Sequence, residues 1–231
     1  MEAILSLSPE RYQRMENFIE NEIRHIIGKD INHLAGLSFD CTCGRKHSVE
    51  IEKIIISDDV LKPLIEALES FRGGKLFVLS DTNTYKVLGE DVLRSLEGNG
   101  FSCKSFTFET GSYHLIPDER ALGRLLVELE QDTALILAVG SGVLNDLARM
   151  TAYKTGKPFA VACTAPSMDG YASVVSPLII NGTKTTYAGK YPYGIFADTN
   201  VMSRAPADMI RAGFGDVLGK LTALADWKLS N

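Results

Sequence analysis

The sequence lacks any long apolar run, and no stretch approaches the roughly 20 residues that a membrane-spanning helix needs. Basic clusters interleaved with aromatic residues are also absent, and the net charge of −5 argues against nucleic acid as a partner. The first residues, MEAILSLSPERYQRMENF, have neither a positive start nor an apolar core, so we expect no secretion signal. Together these absences predict a cytoplasmic protein with neither nucleic-acid nor membrane partners.

Cysteine is scarce, with four residues in 231. Cys103 and Cys163 lie in strand-like segments and are predicted to be small buried hydrophobic residues, and a disulfide framework is not expected in the cytoplasm. The segment CTCGRKH places Cys41, Cys43 and His47 close together, and these are side chains that bind zinc. The CxC spacing is unusual for zinc and a fourth ligand is needed, so a reduced, exposed hairpin turn is the alternative. The sequence leaves both interpretations open.

The hydrophobic content of 45% provides ample material for a buried core, and repeats and low-complexity linkers are absent. Apolar strand-like segments alternate with helical patterns about every 25 to 30 residues, which predicts βαβ units and an α/β fold with a mostly parallel, Rossmann-like sheet. The predicted strands are 75–80, 102–108, 134–139, 158–163 and 194–197, and the predicted helices between them are 82–97, 117–130 and 142–155.

Other segments flank this alternation. An amphipathic helix is predicted from Pro9 to Ile27, and an edge strand over 49–56 leads into a helix over 59–71. The dipeptide Asn181-Gly182 between two strand-like segments is a strong signal for a small β-hairpin. Two helices, starting near 206 and near 215, are predicted to close the chain.

A glycine turn, Gly140-Ser141-Gly142, lies between a buried strand and a helix. Glycine permits a sharp turn, and the unpaired N–H groups at a helix start attract anions such as phosphate. Asn145 stands where a dinucleotide fingerprint has its third glycine, so the motif alone also fits an ordinary turn. The next strand ends in the small polar loop 164–170, TAPSMDG. Two neighbouring strands that end in such loops predict a nucleotide pocket at one edge of the sheet.

Two aspartates draw attention. Asp81 ends the strand 75–80, where a carboxylate can bind a ribose diol and repel a 2′-phosphate, which favours NAD over NADP. The alternative is that Asp81 caps the helix starting near Asn83. Asp216 lies in AGFGDVLGK, early in an apolar helix, where an aspartate usually interacts with the helix dipole. The flanking glycines indicate instead that another group approaches closely.

The segments VGSGVLND, YKTGKPF, TAPSMDGYAS and IRAGFGDVLGKLTALADWKLSN resemble sn-glycerol-1-phosphate dehydrogenases, particularly the bacterial type. These enzymes belong to the superfamily of iron-, zinc- or nickel-dependent polyol dehydrogenases and dehydroquinate synthases. The resemblance covers about residues 75 to 231. It implies reduction of dihydroxyacetone phosphate to sn-glycerol 1-phosphate, with NAD(H) or NADP(H) and one divalent metal (Zn, Ni or Fe), in a family that often forms homodimers. The rival functions are another polyol or alcohol dehydrogenase of the superfamily and a non-catalytic nucleotide-binding module.

The resemblance also implies roles for particular residues. Asp81 would contact the adenosine ribose, Asp169 would bind the substrate, and the catalytic Asp216 would bind both metal and substrate. The remaining cofactor-binding residues would be the diphosphate-binding Gly142, Val143, Leu144, Asn145 and Asp146, together with Thr164, Ala165, Pro166, Ser167 and, near the nicotinamide, Ser173.

The sequence departs from the family at the metal. The family's two metal-binding histidines follow the aspartate in a helical second domain, whereas His25, His33, His47 and His114 all precede Asp216. We therefore expect three parts: an N-terminal helical extension with the cysteine loop (1–48), a dinucleotide-binding domain (49–205) and the start of a truncated helical metal-binding domain (206–231). The isolated chain is expected to bind cofactor without catalysing the reaction, unless a second chain supplies the missing ligands. His114 itself is predicted to be a solvated loop residue.

Overall fold

The computed structural model describes residues 30–40, 44–111 and 114–230, together with the single positions 10 and 13. Most of the helix predicted from Pro9 to Ile27 lies outside the described residues, as do Cys41 and Cys43. The zinc interpretation of the CTCGRKH segment therefore remains a prediction. Next to this segment, the short strands β1 (Ser38–Asp40) and β2 (Lys46–Ser48) pair antiparallel.

A six-stranded sheet forms the centre of the molecule, and every neighbouring pair of its strands is parallel. Its order is β3-β10-β7-β6-β4-β5. The strands are β3 (Lys53–Ser57), β4 (Lys75–Asp81), β5 (Ser102–Phe108), β6 (Thr133–Gly140), β7 (Phe159–Cys163) and β10 (Gly194–Asp198). The predicted α/β fold is confirmed. The edge position expected for the segment 49–56 is also confirmed, although β3 begins only at Lys53.

Helices connect the strands and cover both faces of the sheet. They are α1 (Leu61–Ala67), α2 (Thr82–Thr84), α3 (Glu90–Gly98), α4 (Glu119–Glu128), α5 (Gly142–Thr155), α6 (Thr199–Ser203) and α7 (Ala207–Leu229). A π-helical turn, Tyr85–Gly89, joins α2 to α3, so the helix predicted over 82–97 is interrupted in its second turn. Short 3-10 helices occur at Ile31–Leu34, Glu69–Phe71 and Gly170–Ala172.

The core consists of two apolar layers separated by the sheet. On one face, α1 and α3 pack with Val201 of α6 against alternate side chains of β4, β6 and β7. On the other face, α4 and α5 pack against the remaining side chains of these strands. Because both faces are covered, the strands are apolar along most of their length rather than alternating with polar residues. Within the described residues, no helix has the length and apolar character needed to cross a membrane.

Of the predictions for the hairpin and for the last helices, the first is confirmed and the second is wrong. β8 (Val175–Ile180) and β9 (Thr183–Ala188) pair antiparallel around Asn181 and Gly182, whose φ angles are 50° and 75°, so the predicted hairpin is confirmed. The prediction of two closing helices is wrong, since α7 is one continuous helix of 23 residues. A glycine in a helix interior costs only about 1 kcal/mol, which is too little to end a long helix.

The carboxyl edge of the sheet contains a switch point between β4 and β6. From β4 the chain crosses to β5 on one side, then returns past β4 to form β6 on the other side. Loops that leave neighbouring strands in opposite directions open a crevice, and this is where open α/β sheets bind ligands. Asp81 ends β4 and Gly140 ends β6, so both border the crevice.

Candidate functional site

A cleft of about 1100 Å³ opens at this switch point. Seven of the predicted cofactor-binding residues line it: Asp81, Gly142, Val143, Leu144, Thr164, Ala165 and Ser167. They come from the ends of β4, β6 and β7, which lie side by side in the sheet. The prediction that the glycine turn and the loop 164–170 share one edge is thereby confirmed.

The start of α5 differs from those of three other helices. In α2, α4 and α6 the first N–H groups are bound by the carboxylates of Asp81, Asp118 and Asp198. No side chain caps α5, which starts after Ser141. The N–H groups at this helix start therefore lack a side-chain acceptor and carry the positive end of the helix dipole. An added Cβ at Gly142 would meet only Met168, at 3.6 Å, so the backbone is open on the cleft side.

Asp81 caps a helix and also lines the cleft. Its Oδ1 accepts hydrogen bonds from the N–H groups of Asn83 and Thr84, both at 2.8 Å, and the Thr84 hydroxyl closes a capping box. Both of these bonds end on the same oxygen, so Oδ2 takes no part in the cap. The capping interpretation is confirmed. Asp81 also lines the cleft, and its contact with an adenosine ribose remains a prediction.

The loop that follows β7 is tied to the glycine turn. The Thr164 N–H donates to the Gly140 carbonyl at 3.1 Å, and the hydroxyls of Ser141 and Ser167 form a hydrogen bond. The Tyr171 hydroxyl donates to the Ala165 carbonyl at 2.7 Å. Burial raises the pKa of Tyr171 well above its usual range, so this hydroxyl stays protonated and remains a donor. These bonds fix the loop on the rim where α5 begins.

Asn145 and Asp146 do not line the cleft. They lie in the first two turns of α5 and face Arg149, whose side chain is fully buried. Arg149 Nη1 donates to Asp146 Oδ1 at 2.9 Å, and in the amide orientation that satisfies both groups the Asn145 oxygen accepts from Nη2 at 3.0 Å. Their contact with a diphosphate remains a prediction, while the observed contacts give both residues a role in packing.

Arg149 also binds the segment that follows the loop. Its Nη2 donates to the carbonyls of Gly170 and Tyr171 at 2.8 and 3.1 Å, and its Nη1 donates to the carbonyl of Val175 at 3.0 Å. An added Cβ at Gly189 would lie 2.8 Å from Arg149 Cδ, so the hairpin approaches this side chain closely. One buried guanidinium thus connects α5, the loop after β7 and the hairpin.

The burial of Asp146 has a consequence for pH dependence. Burial is the main cause that raises its pKa to about 6, although the ion pair with Arg149 acts in the opposite direction. A raised pKa in the folded state means that the folded protein holds the proton more tightly. The stability that the folded protein gains from this bound proton is complete below the ordinary pKa of 3.8 and is lost as the pH rises through 6.

We therefore expect the free energy of unfolding of the wild type, relative to Asp146→Asn, to fall by about 1–3 kcal/mol between pH 4 and pH 7. Urea unfolding of both proteins at several pH values measures this difference, and the other carboxylates cancel in the comparison. A relative stability that stays flat or rises over this interval would contradict the raised pKa.

Asp169 and Asp216 meet outside the cleft lining, where α7 contacts the loop. The Asp169 N–H donates to Asp216 Oδ2 at 2.8 Å. Lys220 Nζ lies 2.8 Å from Asp169 Oδ2 and 3.8 Å from Asp216 Oδ1. The hydrogen bond from Asp169 lowers the pKa of Asp216, and the Lys220 ammonium acts in the same direction. The two predicted substrate-binding carboxylates are therefore neighbours, as their predicted roles require.

Gly213 makes this contact possible. An added Cβ there would lie 2.8 Å from the Pro166 carbonyl carbon and still closer to its oxygen. The backbone of α7 therefore lies directly against the loop, as the sequence analysis expected for the glycines near Asp216. Gly215 and Gly219 make no such approach, since an added Cβ would meet nothing within 4 Å at either position.

Two further predicted cofactor residues do not line the cleft. Pro166 presents its carbonyl to α7, and Ser173 exchanges hydrogen bonds with Val175 at the start of the hairpin. In turn, the cleft has lining residues that the sequence analysis missed, among them His114 and Arg204. His114 is exposed in a loop, as predicted, and it also lines the cleft. Neither residue belongs to a local motif.

The family model described as iron-containing alcohol dehydrogenase matches residues 55–206. This match covers the central sheet from the third residue of β3 to the end of β10. The chain belongs to the iron-containing alcohol dehydrogenase family. The resemblance found in the sequence is thereby confirmed.

Relatives of this family from bacteria and archaea bear the name glycerol-1-phosphate dehydrogenase [NAD(P)+]. The one from Halalkalibacterium halodurans is 37% identical over 87% of this chain, which covers 52% of that relative. The one from Bacillus subtilis is 36% identical over 79% of this chain and 46% of its own length. For the one from Thermoplasma acidophilum the identity is 32%, over 77% of this chain and 49% of the relative. The chain thus spans about half the length of these relatives.

Solved structures show the same fold at lower identity. Glycerol dehydrogenase from Schizosaccharomyces pombe superposes with a TM-score of 0.59 at 23% identity, over 71% of this chain and 41% of that one. An iron-containing alcohol dehydrogenase superposes with a TM-score of 0.63 at 14% identity, over 72% of this chain and 51% of that one. These similarities establish the fold alone.

The family name implies a metal, and the described residues do not form a complete site for one. No three His, Cys, Asp or Glu side chains come together to hold an ion in the part of the chain that the structure describes. Asp216 is the one predicted ligand, and the ammonium of Lys220 already lies beside it and Asp169. A mixed set of oxygen and imidazole ligands would suit zinc, nickel or iron. Asp216 and Asp169 supply carboxylate oxygens alone, so a complete metal centre would need imidazoles from other residues.

Proposed function

We propose that this chain is the nucleotide-binding half of an NAD(P)-dependent and metal-dependent enzyme that reduces dihydroxyacetone phosphate to sn-glycerol 1-phosphate. The observation that carries the proposal is the uncapped start of α5, which opens onto a cleft of about 1100 Å³ at the switch point of a parallel sheet. The names of the relatives support the choice of substrate and cofactor.

The start of α5 is suited to hold the cofactor's diphosphate. The N–H groups of Gly142, Val143 and Leu144 have no side-chain cap and lie at the positive end of a 14-residue helix. At Gly142 the missing side chain leaves the backbone accessible from the cleft. At Gly140 an added Cβ would lie 2.9 Å from Leu144 Cβ, so only glycine fits this turn.

Residues on both sides of this turn complete the proposed cofactor site. Asp81 would accept hydrogen bonds from the adenosine ribose through Oδ2, because Oδ1 is used by the helix cap. Thr164, Ala165 and Ser167 line the same cleft at the end of β7, where the nicotinamide half would lie. The bonds from Ser141 and Thr164 hold this loop in place before a ligand arrives.

When bound, the nicotinamide cofactor supplies a hydride to the substrate's carbonyl carbon, and a proton from solvent completes the new hydroxyl. Asp169 would accept a hydrogen bond from a substrate hydroxyl and so orient the carbonyl. Asp216 keeps the backbone of Asp169 in position through its hydrogen bond to the Asp169 N–H. Since Asp216 has a lowered pKa, it is ionised at neutral pH and can accept this bond throughout.

Titration of the chain with NADH, followed by nucleotide fluorescence, tests the proposal. Wild type is expected to bind NADH, and Gly142→Asp to bind it at least about tenfold more weakly, because a carboxylate at the start of α5 repels the diphosphate. Gly123→Asp is the matched control, since Gly123 lies in α4 outside the cleft and its added Cβ meets nothing within 4 Å.

The same samples test turnover with dihydroxyacetone phosphate and added Zn²⁺ or Ni²⁺. We expect cofactor binding without turnover, because the described residues hold too few metal ligands. If wild type fails to bind NADH, or if Gly142→Asp binds it as tightly as Gly123→Asp does, the proposed cofactor site is wrong. Turnover by the isolated chain would refute the expectation that it lacks metal ligands.

A further inference from the structure

Arg204 has a distinctive place in the cleft. Among the described residues that line it, Arg204 is the one with a permanent positive charge, whereas Asp81 and Asp208 contribute negative charges. Asp208 is paired with Arg211 at 2.8 Å. The cleft therefore has one cationic side chain that a ligand can reach, and no part of the proposed function so far uses it.

The guanidinium of Arg204 is anchored at one nitrogen. Its Nε donates to the Asn200 carbonyl at 2.8 Å, which holds the group at the end of α6. Within the described residues, neither Nη nitrogen makes a hydrogen bond or ion pair. An arginine held in this way presents two parallel N–H groups, which is the arrangement that binds a phosphate with two hydrogen bonds.

The packing places α6, which ends just before Arg204, on the same face of the sheet as the helix that follows Asp81. Val201 of α6 belongs to the core layer that also contains Leu88 and Val92 from the helix following β4. The helix α5 packs on the opposite face of the sheet. The helix α6 and the helix that Asp81 caps therefore share one face, opposite to α5, and Arg204 lines the cleft at the end of α6.

We propose that Arg204 binds the 2′-phosphate of NADP(H) and is the residue through which the chain would accept this cofactor beside NAD(H). This inference rests on the proposed function, in which Asp81 binds the adenosine ribose. The carboxylate of Asp81 would repel a 2′-phosphate, but its Oδ1 already binds two N–H groups at a helix start, which reduces this repulsion. In this proposal Asp81 alone does not decide between the two cofactors, and the preference for NAD remains a prediction.

The test compares dissociation constants of NADH and NADPH for wild type, Arg204→Met, Arg204→Lys and the control Arg120→Met. Arg120 is exposed on α4 and does not line the cleft. We expect Arg204→Met to weaken NADPH at least about tenfold while NADH changes less than about twofold. Arg204→Lys should be intermediate, because it keeps the charge and loses the paired N–H groups.

An equal loss for both cofactors would mean that the guanidinium stacks on the base or contacts the diphosphate, and it would overturn the proposal. The proposal would also be overturned if Arg204→Met left the dissociation constants of both NADH and NADPH unchanged. Direct titration with adenosine 2′,5′-bisphosphate and with 5′-AMP, followed by calorimetry, separates the two proposals. If wild type binds neither cofactor, the proposed function fails. If, in that case, Arg204→Met weakens binding of the bisphosphate and not of 5′-AMP, the proposal for Arg204 still holds. If neither adenosine phosphate binds, both proposals fail.

Discussion

Gly213→Ala is expected to separate α7 from the loop after β7. Its new Cβ would lie 2.8 Å from the carbonyl carbon of Pro166, so helix or loop must move by about 1 Å or more to restore ordinary contact. This movement should break the hydrogen bond between the Asp169 N–H and Asp216. Hydrogen exchange of the Asp169 amide measures the effect, and we expect it to lose most of its protection.

Gly215→Ala is the matched control for this change. Its Cβ meets nothing within 4 Å, so it should add about 0.5–1 kcal/mol of helix propensity and leave the Asp169 amide protected. If the two variants show the same protection at Asp169, the close approach at Gly213 does not hold the helix in place. The contrast matters because both glycines lie in one helix, two residues apart.

Arg149→Met is expected to lower the free energy of unfolding by about 3–5 kcal/mol, since it leaves the carboxylate of Asp146, whose side chain is only 16% exposed, without its partner. It also removes the donors for the carbonyls of Gly170, Tyr171 and Val175. Urea unfolding at neutral pH measures the loss, which should be smaller at pH 4, where Asp146 is protonated in the folded protein.

Two further variants give this experiment its controls. Arg94→Met removes an arginine of α3 that pairs with Glu90 and Asp91 but is 68% exposed, and we expect less than about 1 kcal/mol of destabilisation. Adding Asp146→Asn to Arg149→Met should recover part of the loss, because the unpaired charge is removed. A cost below about 1 kcal/mol for Arg149→Met alone would show that the buried ion pair adds little to stability.

The sheet and the position of the cleft at its carboxyl edge could be predicted because both depend on short-range sequence patterns. Apolar segments that alternate with helices imply parallel strands, and the carboxyl ends of adjacent parallel strands meet at one edge. This is why Gly142 and Thr164, which are 22 positions apart, line one cleft as expected. The hairpin was predictable for a similar reason, since Asn181-Gly182 suits a backbone with positive φ.

The parts that could not be predicted depend on contacts between distant segments. Arg149 looks like an ordinary helical arginine until the carbonyls 21 to 26 residues later fold onto it. Arg204 enters the cleft only because α6 packs on the same face as the helix after β4. The continuity of α7 was missed, although the close approach that the flanking glycines indicated is present at Gly213.

The aspartate caps have one more consequence. At the rim of the cleft, the helix starts after β4 and β10 each have a carboxylate in place, while the start after β6 has none. Of these three helix starts, the one after β6 therefore has N–H groups that no side chain binds, while the first N–H groups of the other two are already paired. If the chain binds the proposed cofactor, this difference between the helix starts would direct the diphosphate, and with it the whole nucleotide, toward α5.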